Sequence, residues 1–199
     1  MKNNLIILVK AWIAGICISI GCNIYLSCDN QYIGATLFAI GLITILLFDF
    51  NLYTGKVGYI IKNGANFIQV VAIILIGNII GCICMGMLFP SEFATVLCEN
   101  KLQMTFANTF CKSIMCGLLM FIAVDTYKSH QTFVPAVFCV ATFILSGYEH
   151  SIADVTYFVM GRVFTLKAVL FIITVVIGNA FGGMIIPLCN KITTTQQND

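Results

Sequence analysis

Residues 146–154 read SGYEHSIAD, a polar stretch inside the otherwise apolar segment of about 132–159. A glycine and the ionisable residues Glu149, His150 and Asp154 stand where an unbroken apolar helix would continue. Ionisable groups inside a membrane span are costly, and they usually serve a function. The stretch therefore predicts a broken transmembrane helix with a functional site at the break.

The sequence around this break is that of an integral membrane protein. Of its 199 residues, 60% are hydrophobic and only 9% are charged, which is too much apolar surface for a soluble domain to hide. Four uncharged stretches are long enough to cross a bilayer, and two less uniform segments follow the same pattern. They are 11–28, 31–48, 63–91 and 168–190, then about 104–127 and 132–159. The sequence predicts one all-α membrane domain, residues 1–199, with six transmembrane helices and a retained N-terminus.

Two motifs recur at corresponding places in the two halves of the chain. The third span contains GNIIG at 77–81, and the sixth contains GNAFG at 178–182. The helix after Gln31 ends in DFNLYTG at 49–55, a polar break that corresponds to the one at 146–151. An odd number of spans per half predicts an inverted three-plus-three repeat with helices 2 and 5 broken, the plan of aquaporin-like channels. Such breaks place polar groups around a solute near the membrane midplane.

His150 is the central candidate for the chemistry of the site. Imidazole titrates near neutral pH, and it can donate a hydrogen bond or pass a proton. Thr54, in the first break, is its expected partner, although a helix-cap role for this threonine is equally open. We expect Glu149 to be structural. Lys112 lies deep in the fourth span, where it either snorkels to the surface or attracts anions.

Other classes of function receive little support from the sequence. The ten cysteines show no metal-binding spacing and the only histidines are His130 and His150, so we expect packing cysteines, no metal and no cofactor. The net charge of +2 offers no basic patch for nucleic acid. A water or glycerol pore would carry paired N-P-A loops, which are absent here. A hydrolase is the weakest alternative, because the adjacent His150 and Ser151 cannot easily form a nucleophile–base pair.

Three motifs together resemble the formate/nitrite transporter family of pentameric anion channels. GYEHSIA at 147–153 is similar to the family's G-F-E-H-S-x-A-N, and LYTG at 52–55 is similar to its L-F-T-G loop. GNAFGG at 178–183 is similar to the G-N-x-x-G-G of the last helix. The resemblance extends from about residue 10 to 190. The chain departs from the pattern at Asp154, where the family has asparagine.

The resemblance implies a role for each candidate residue. A central chamber would be lined by Thr54, His150 and Asn179. Two hydrophobic constrictions would close it. Phe38 and Leu42 resemble the residues of the inner constriction, and Phe143 resembles the residue of the outer one. Lys101 resembles a basic residue near the outer vestibule. Apart from the resemblance, we expect Glu149, Asp154 and Lys112 to provide electrostatic or structural support.

The predicted function is a channel for small monovalent anions, formate first, in which His150 protonates the permeating anion. Nitrite and hydrosulfide are alternatives within the family, and a pore for neutral small solutes is a more distant one. The implied partners are the anion, the lipid bilayer and further copies of the chain in a homopentamer. The excess of lysines at the ends and in alternate connections predicts a multi-pass protein of the cell membrane with both termini in the cytoplasm.

Overall fold

The computed structural model describes residues 2–196, which form helices and connections and contain no strand. The helices are α1 (Lys2–Ser27), α2 (Gln31–Leu37), α3 (Ala39–Leu47), α4 (Tyr53–Lys56), α5 (Ile60–Asn63), α6 (Asn66–Leu88), α7 (Glu92–Leu102), α8 (Phe106–His130), α9 (Val134–Leu145), α10 (Ser151–Met160) and α11 (Leu166–Gln196). A 3₁₀ turn, Val57–Tyr59, joins α4 to α5. The predicted all-α fold class is confirmed.

Four of the helices are long and apolar enough to cross a membrane unaided. They cover Asn3–Ser27, Asn66–Leu88, Phe106–His130 and Leu166–Thr194. The segments predicted as spans two and five consist instead of shorter apolar helices, Gln31–Leu47 and then Val134–Leu145 with Ser151–Met160. Both are interrupted, as the sequence predicted for these two positions. The total of six spans stays a prediction.

Each half of the chain is built on a pair of long helices in close contact, α1 with α6 and α8 with α11. The second glycine of each G-N-x-x-G motif lies where the two backbones approach closely. A Cβ on Gly81 would overlap the carbonyl oxygen of Trp12, and one on Gly182 would overlap that of Ile114. Small residues therefore let the backbones approach in lipid, where close packing replaces the hydrophobic effect as the force between helices.

The two breaks have the same backbone geometry. At the first, Asp49 has φ 49° and the Phe50 N–H donates to the carbonyl of Ile45 at 2.9 Å. At the second, Gly147 has φ 62° and the Tyr148 N–H donates to the carbonyl of Phe143, also at 2.9 Å. A left-handed residue followed by this backward hydrogen bond is the Schellman way of ending a helix. Both α3 and α9 thus end in the same turn, after which a new helix begins at Tyr53 or Ser151.

Helix α7 was not predicted from the sequence, because its residues were expected to form a connection between spans. Its residues Glu92–Leu102 form a helix capped by the Ser91 side chain, which accepts from the Ala94 N–H. Helix α7 packs against α10. This contact brings Lys101, near the end of α7, to the second break.

Candidate functional site

Two asparagines hold the broken helices in place, one in each half. The Asn78 side chain accepts from the Tyr53 N–H at 2.8 Å and donates to the carbonyls of Asn51 at 2.8 Å and Ala11 at 2.7 Å. It is fully buried. The Asn78 amide thus connects the start of α4 to Asn51, two residues earlier, and to α1.

Asn179 repeats this arrangement in the second half. It accepts from the Ser151 N–H at 2.9 Å and donates to the carbonyls of Glu149 at 2.9 Å and Ser113 at 2.8 Å. Asn179 is fully buried, and its amide is engaged in these three backbone bonds. Asn179 therefore positions the second break, and its place in the chamber lining stays a prediction. Asn78 was missed as a site residue, although the repeated G-N-x-x-G motif pointed to it.

His150 is the N-cap of α10, and this role defines which nitrogen carries its hydrogen. Its backbone is extended (φ −108°, ψ 111°), and its Nδ1 accepts from the Ala153 N–H at 3.1 Å. An imidazole nitrogen that accepts has no hydrogen, so in the neutral ring the hydrogen is on Nε2. The N-cap bond satisfies one of the backbone donors that every helix leaves open at its start.

The structure brings His150 and Thr54 together. His150 Nε2 lies 3.0 Å from Thr54 Oγ1, and both residues are buried. Because Nε2 carries the hydrogen, it donates to the threonine oxygen, and the hydroxyl hydrogen of Thr54 is left to point elsewhere. The two breaks therefore meet through side chains that present a hydrogen-bond donor between the starts of α4 and α10.

Aromatic rings lie next to this pair on one side. The Phe143 ring stacks on the His150 imidazole with centroids 5.4 Å apart, and Phe38 meets Phe143 edge-on at 5.7 Å. All three side chains are buried. Phe38 and Phe143 thus form one aromatic cluster against His150, and their assignment to an inner and an outer constriction stays a prediction.

Two aliphatic side chains in the first half of the chain are also buried. Leu42 lies one helical turn beyond Phe38 on α3, and Leu52 lies two residues before Thr54 at the first break; each is 1% exposed. Leu52 also lines a cavity that it shares with Asp49, Lys56 and Lys128. Leu52 was missed by the sequence analysis, although it begins the LYTG motif. Both leucines therefore belong to the buried apolar core.

A buried ion cluster lies behind the second break. Lys101 Nζ contacts Glu149 Oε2 and lies 3.0 Å from Asp154 Oδ1. Burial by itself would lower the pKa of Lys101, but the carboxylates of Asp154 and Glu149 raise this pKa above its usual value. The ammonium is therefore charged at physiological pH. Its charge is already paired with carboxylates, so it differs from an unpaired cation that attracts anions at a vestibule.

Lys112 differs from Lys101 in having no such partner. It is partly buried, its Nζ contacts Met104 Sδ at 3.6 Å, and it makes no ion pair with any residue that the structure describes. Its Nζ is also 3.5 Å from the position that a Cβ on Gly147 would take. An unpaired ammonium thus lies beside the turn of the second break.

Comparison with known proteins identifies the family. The family model described as "Formate/nitrite transporter" matches residues 2–191. The formate channel FocA of Escherichia coli K12 is 25% identical over 162 residues, which are 67% of this chain and 54% of FocA. FocA sequences from two other E. coli strains match equally. The match thus spans about half the length of these curated relatives.

Solved structures show the same fold. A pentameric formate channel with formate bound superposes with a TM-score of 0.80 at 21% identity, covering 98% of each chain. An FNT family ion channel gives 0.79 at 20% identity, covering 93% of this chain and 88% of that one. The family predicted from the three motifs is confirmed, and a transporter family agrees with the expectation that the chain is not an enzyme. The chain belongs to the formate/nitrite transporter family.

Proposed function

We propose that the chain forms a membrane channel for small monovalent anions, with formate as the first candidate and nitrite and hydrosulfide as alternatives. The observation that carries this proposal is the buried Thr54–His150 pair, 3.0 Å apart between the starts of two half-helices. A helix start carries a partial positive charge, which favours an anion nearby. The formate channels among its relatives make formate the first anion to test.

The flanking apolar residues support selection by size and charge. Phe143 stacks on His150 and contacts Phe38, and Leu42 and Leu52 are buried in the same half of the chain as Thr54. A hydrated ion must shed water to pass such residues, and an unpaired anion in an apolar environment is costly. The Thr54 hydroxyl, oriented by His150, is the donor that offsets part of this cost.

His150 acts in this proposal as a neutral donor. It could protonate the permeating anion only from the imidazolium form, which carries a hydrogen on Nδ1. That hydrogen would replace the bond now accepted from the Ala153 N–H at 3.1 Å, so the N-cap of α10 would be lost. Geometry thus favours a channel that stabilises the anion through hydrogen bonds, while direct protonation by His150 is the second candidate.

The test uses proteoliposomes loaded with formate and a pair of substitutions that separate the chemistry from the fold. His150→Asn keeps a side-chain oxygen that caps α10 but removes the imidazole, and His150→Ala removes both. Thr54→Val keeps the shape of threonine without its hydroxyl. His130→Ala, at the exposed second histidine, is the control.

We expect formate flux to fall strongly in Thr54→Val and His150→Asn and to be unchanged in His130→Ala. Wild-type flux in both chamber variants, with the same response to pH, would remove the Thr54–His150 pair from the mechanism. Competition with nitrite, hydrosulfide and glycerol on the same preparation then separates the anions from the neutral-solute alternative.

The assembly and orientation belong to the same proposal. A homopentamer is suggested by the pentameric relative and by exposed large apolar side chains such as Phe93, Phe106 and Phe138, which need lipid or a partner chain. Light scattering of the solubilised protein gives the number of subunits. We also propose that the protein lies in the cell membrane with both termini in the cytoplasm. Reporter fusions at each end test this orientation, and an extracellular signal from either end would contradict it.

A further inference from the structure

The ion cluster behind the second break contains more negative than positive charge. One ammonium, Lys101, pairs with the two carboxyl groups of Glu149 and Asp154. The side chains are 12%, 3% and 2% exposed, respectively. With both carboxyls ionised, the cluster would carry one uncompensated negative charge away from water. A buried charge of this kind is costly, and proteins commonly neutralise it by binding a proton.

The groups around Asp154 do not supply a second cation. From α7, α1 and α8, the side chains that act on it electrostatically besides Lys101 are the thiols of Cys98, Cys22 and Cys116. From its own helix the group is the phenol of Tyr157. The nearest other titratable group on α6 is Cys82, whose thiol donates to the Ile152 carbonyl. Lys101 is thus the sole cation paired with Asp154 among the described residues.

One oxygen of Asp154 is available for a proton. Oδ1 lies 3.0 Å from Lys101 Nζ, but the buried Oδ2 has no hydrogen-bond partner in the described part of the chain. Asp154 as a whole is 1% exposed. A carboxylate oxygen that is buried and unpaired is unusual, because such atoms nearly always have a partner. A bound hydrogen at Oδ2 would remove the charge that makes this arrangement costly.

We propose that the Lys101–Glu149–Asp154 cluster binds one exchangeable proton on Asp154, and that this proton controls passage of anions through the chamber. The step is a simple protonation, in which the carboxylate and a proton from water form a neutral carboxyl group. With the proton bound, the cluster is neutral and the chamber admits an anion. Without it, a net negative charge lies one helical turn from His150 and repels the anion.

The connection to the chamber is short. The Asp154 N–H donates to the His150 carbonyl at 2.8 Å, and the neighbouring Glu149 carbonyl is held by Asn179. At an effective dielectric constant of about 20 and a separation of roughly 10 Å, one unit charge changes the occupancy of an anion about tenfold or more. The inference rests on the proposed anion channel. It makes Asp154 a residue that sets the pH response without contacting the anion.

The first experiment measures formate flux into proteoliposomes from acidic to neutral pH, after subtraction of flux into protein-free vesicles. We expect wild-type flux to fall about tenfold or more as the pH rises, and Asp154→Asn to remove most of that fall. Glu149→Gln removes the other carboxylate and should have the same effect. Glu99→Gln, an exposed carboxylate on α7, is the control that keeps the wild-type profile.

The second experiment detects the proton directly by infrared difference spectroscopy between the same two pH values. We expect a carbonyl band of a protonated carboxyl in the wild-type protein that is lost in Asp154→Asn. Superimposable pH profiles of wild type and Asp154→Asn, or a band that Asp154→Asn leaves unchanged, would overturn the inference. A folded wild-type protein that carries no formate at any pH would instead refute the proposed function, and the infrared band alone would then decide whether the cluster binds a proton.

Discussion

Replacing Asn179 by alanine removes the clamp that holds the second break. The amide makes three bonds of 2.8–2.9 Å, with the Ser151 N–H and with the carbonyls of Glu149 and Ser113. Ser113 lies inside α8, so its carbonyl keeps a helical partner, whereas the other two groups are left unpaired in a buried site. At about 1–3 kcal/mol for each unpaired group, the loss is about 2–6 kcal/mol. Hydrogen bonds between membrane helices often contribute less, about 0.6 kcal/mol on average, so the lower part of this range is expected.

Thermal unfolding of the purified protein measures this loss, and formate flux measures its effect on the chamber. At about 2–4 °C per kcal/mol, a loss in the lower part of the range, about 2–3 kcal/mol, should lower the melting temperature by roughly 4–12 °C. Asn78→Ala removes the matching clamp of the first break and should cause a similar fall. Asn108→Ala, at an exposed asparagine on α8, is the control. If Asn179→Ala and Asn78→Ala both melt at the same temperature as Asn108→Ala, the two asparagines do not stabilise the breaks and the reasoning is refuted.

Four further substitutions test the packing, the aromatic cluster and the cations. Gly182→Val should separate α11 from α8 and lower the melting temperature far more than Ala180→Val, because a Cβ at 182 meets a carbonyl oxygen. Phe143→Ala removes the ring between Phe38 and His150, and it should raise the flux of larger carboxylates relative to formate in a substrate series. Lys112→Met should slow anion uptake most at low salt, because dissolved ions screen an unpaired charge at high salt. Equal effects at all ionic strengths would argue against attraction of anions by Lys112. Lys101→Met should instead destabilise the protein by about 3–5 kcal/mol in a melting assay, since it leaves buried carboxylates without a cation.

The sequence was sufficient to predict the breaks and the repeat, because both are encoded locally. Glycine, polar residues and charges interrupt apolar runs at 49–55 and 146–151, and such interruptions cannot continue a membrane helix. The G-N-x-x-G motifs likewise predict close helix contacts from small residues at fixed spacing. The meeting of Thr54 with His150 followed from the inversion of the two halves.

Contacts across the breaks could not be predicted, because they depend on how far the chain turns back after each helix ends. Phe143 lies in the last turn of α9, and the reversal at Gly147 returns the chain so that His150 stacks on that same ring. Phe38 sits where α2 meets α3, so its depth depends on the angle at this junction. Lys101 reaches Asp154 only because α7 folds against α10, and no local pattern encodes that contact.

The repeat also explains why one half of the site carries the imidazole. Asn78 binds the N–H of Tyr53, and Asn179 binds the N–H of Ser151, so the two half-helices begin at equivalent positions. The residue before each start is therefore equivalent too, and it is Leu52 in one half and His150 in the other.

The symmetry mate of His150 is thus an apolar residue, and Thr54 is a partner from a different position of the repeat. Helix α4 starts without a side-chain cap, whereas α10 is capped by the ring that also donates to Thr54. One backbone scaffold, used twice, therefore presents an apolar residue at the start of one half-helix and an oriented hydrogen-bond donor at the start of the other. In the proposed channel, an anion between the two half-helices would meet a different environment from each of them, although their backbone geometry is the same.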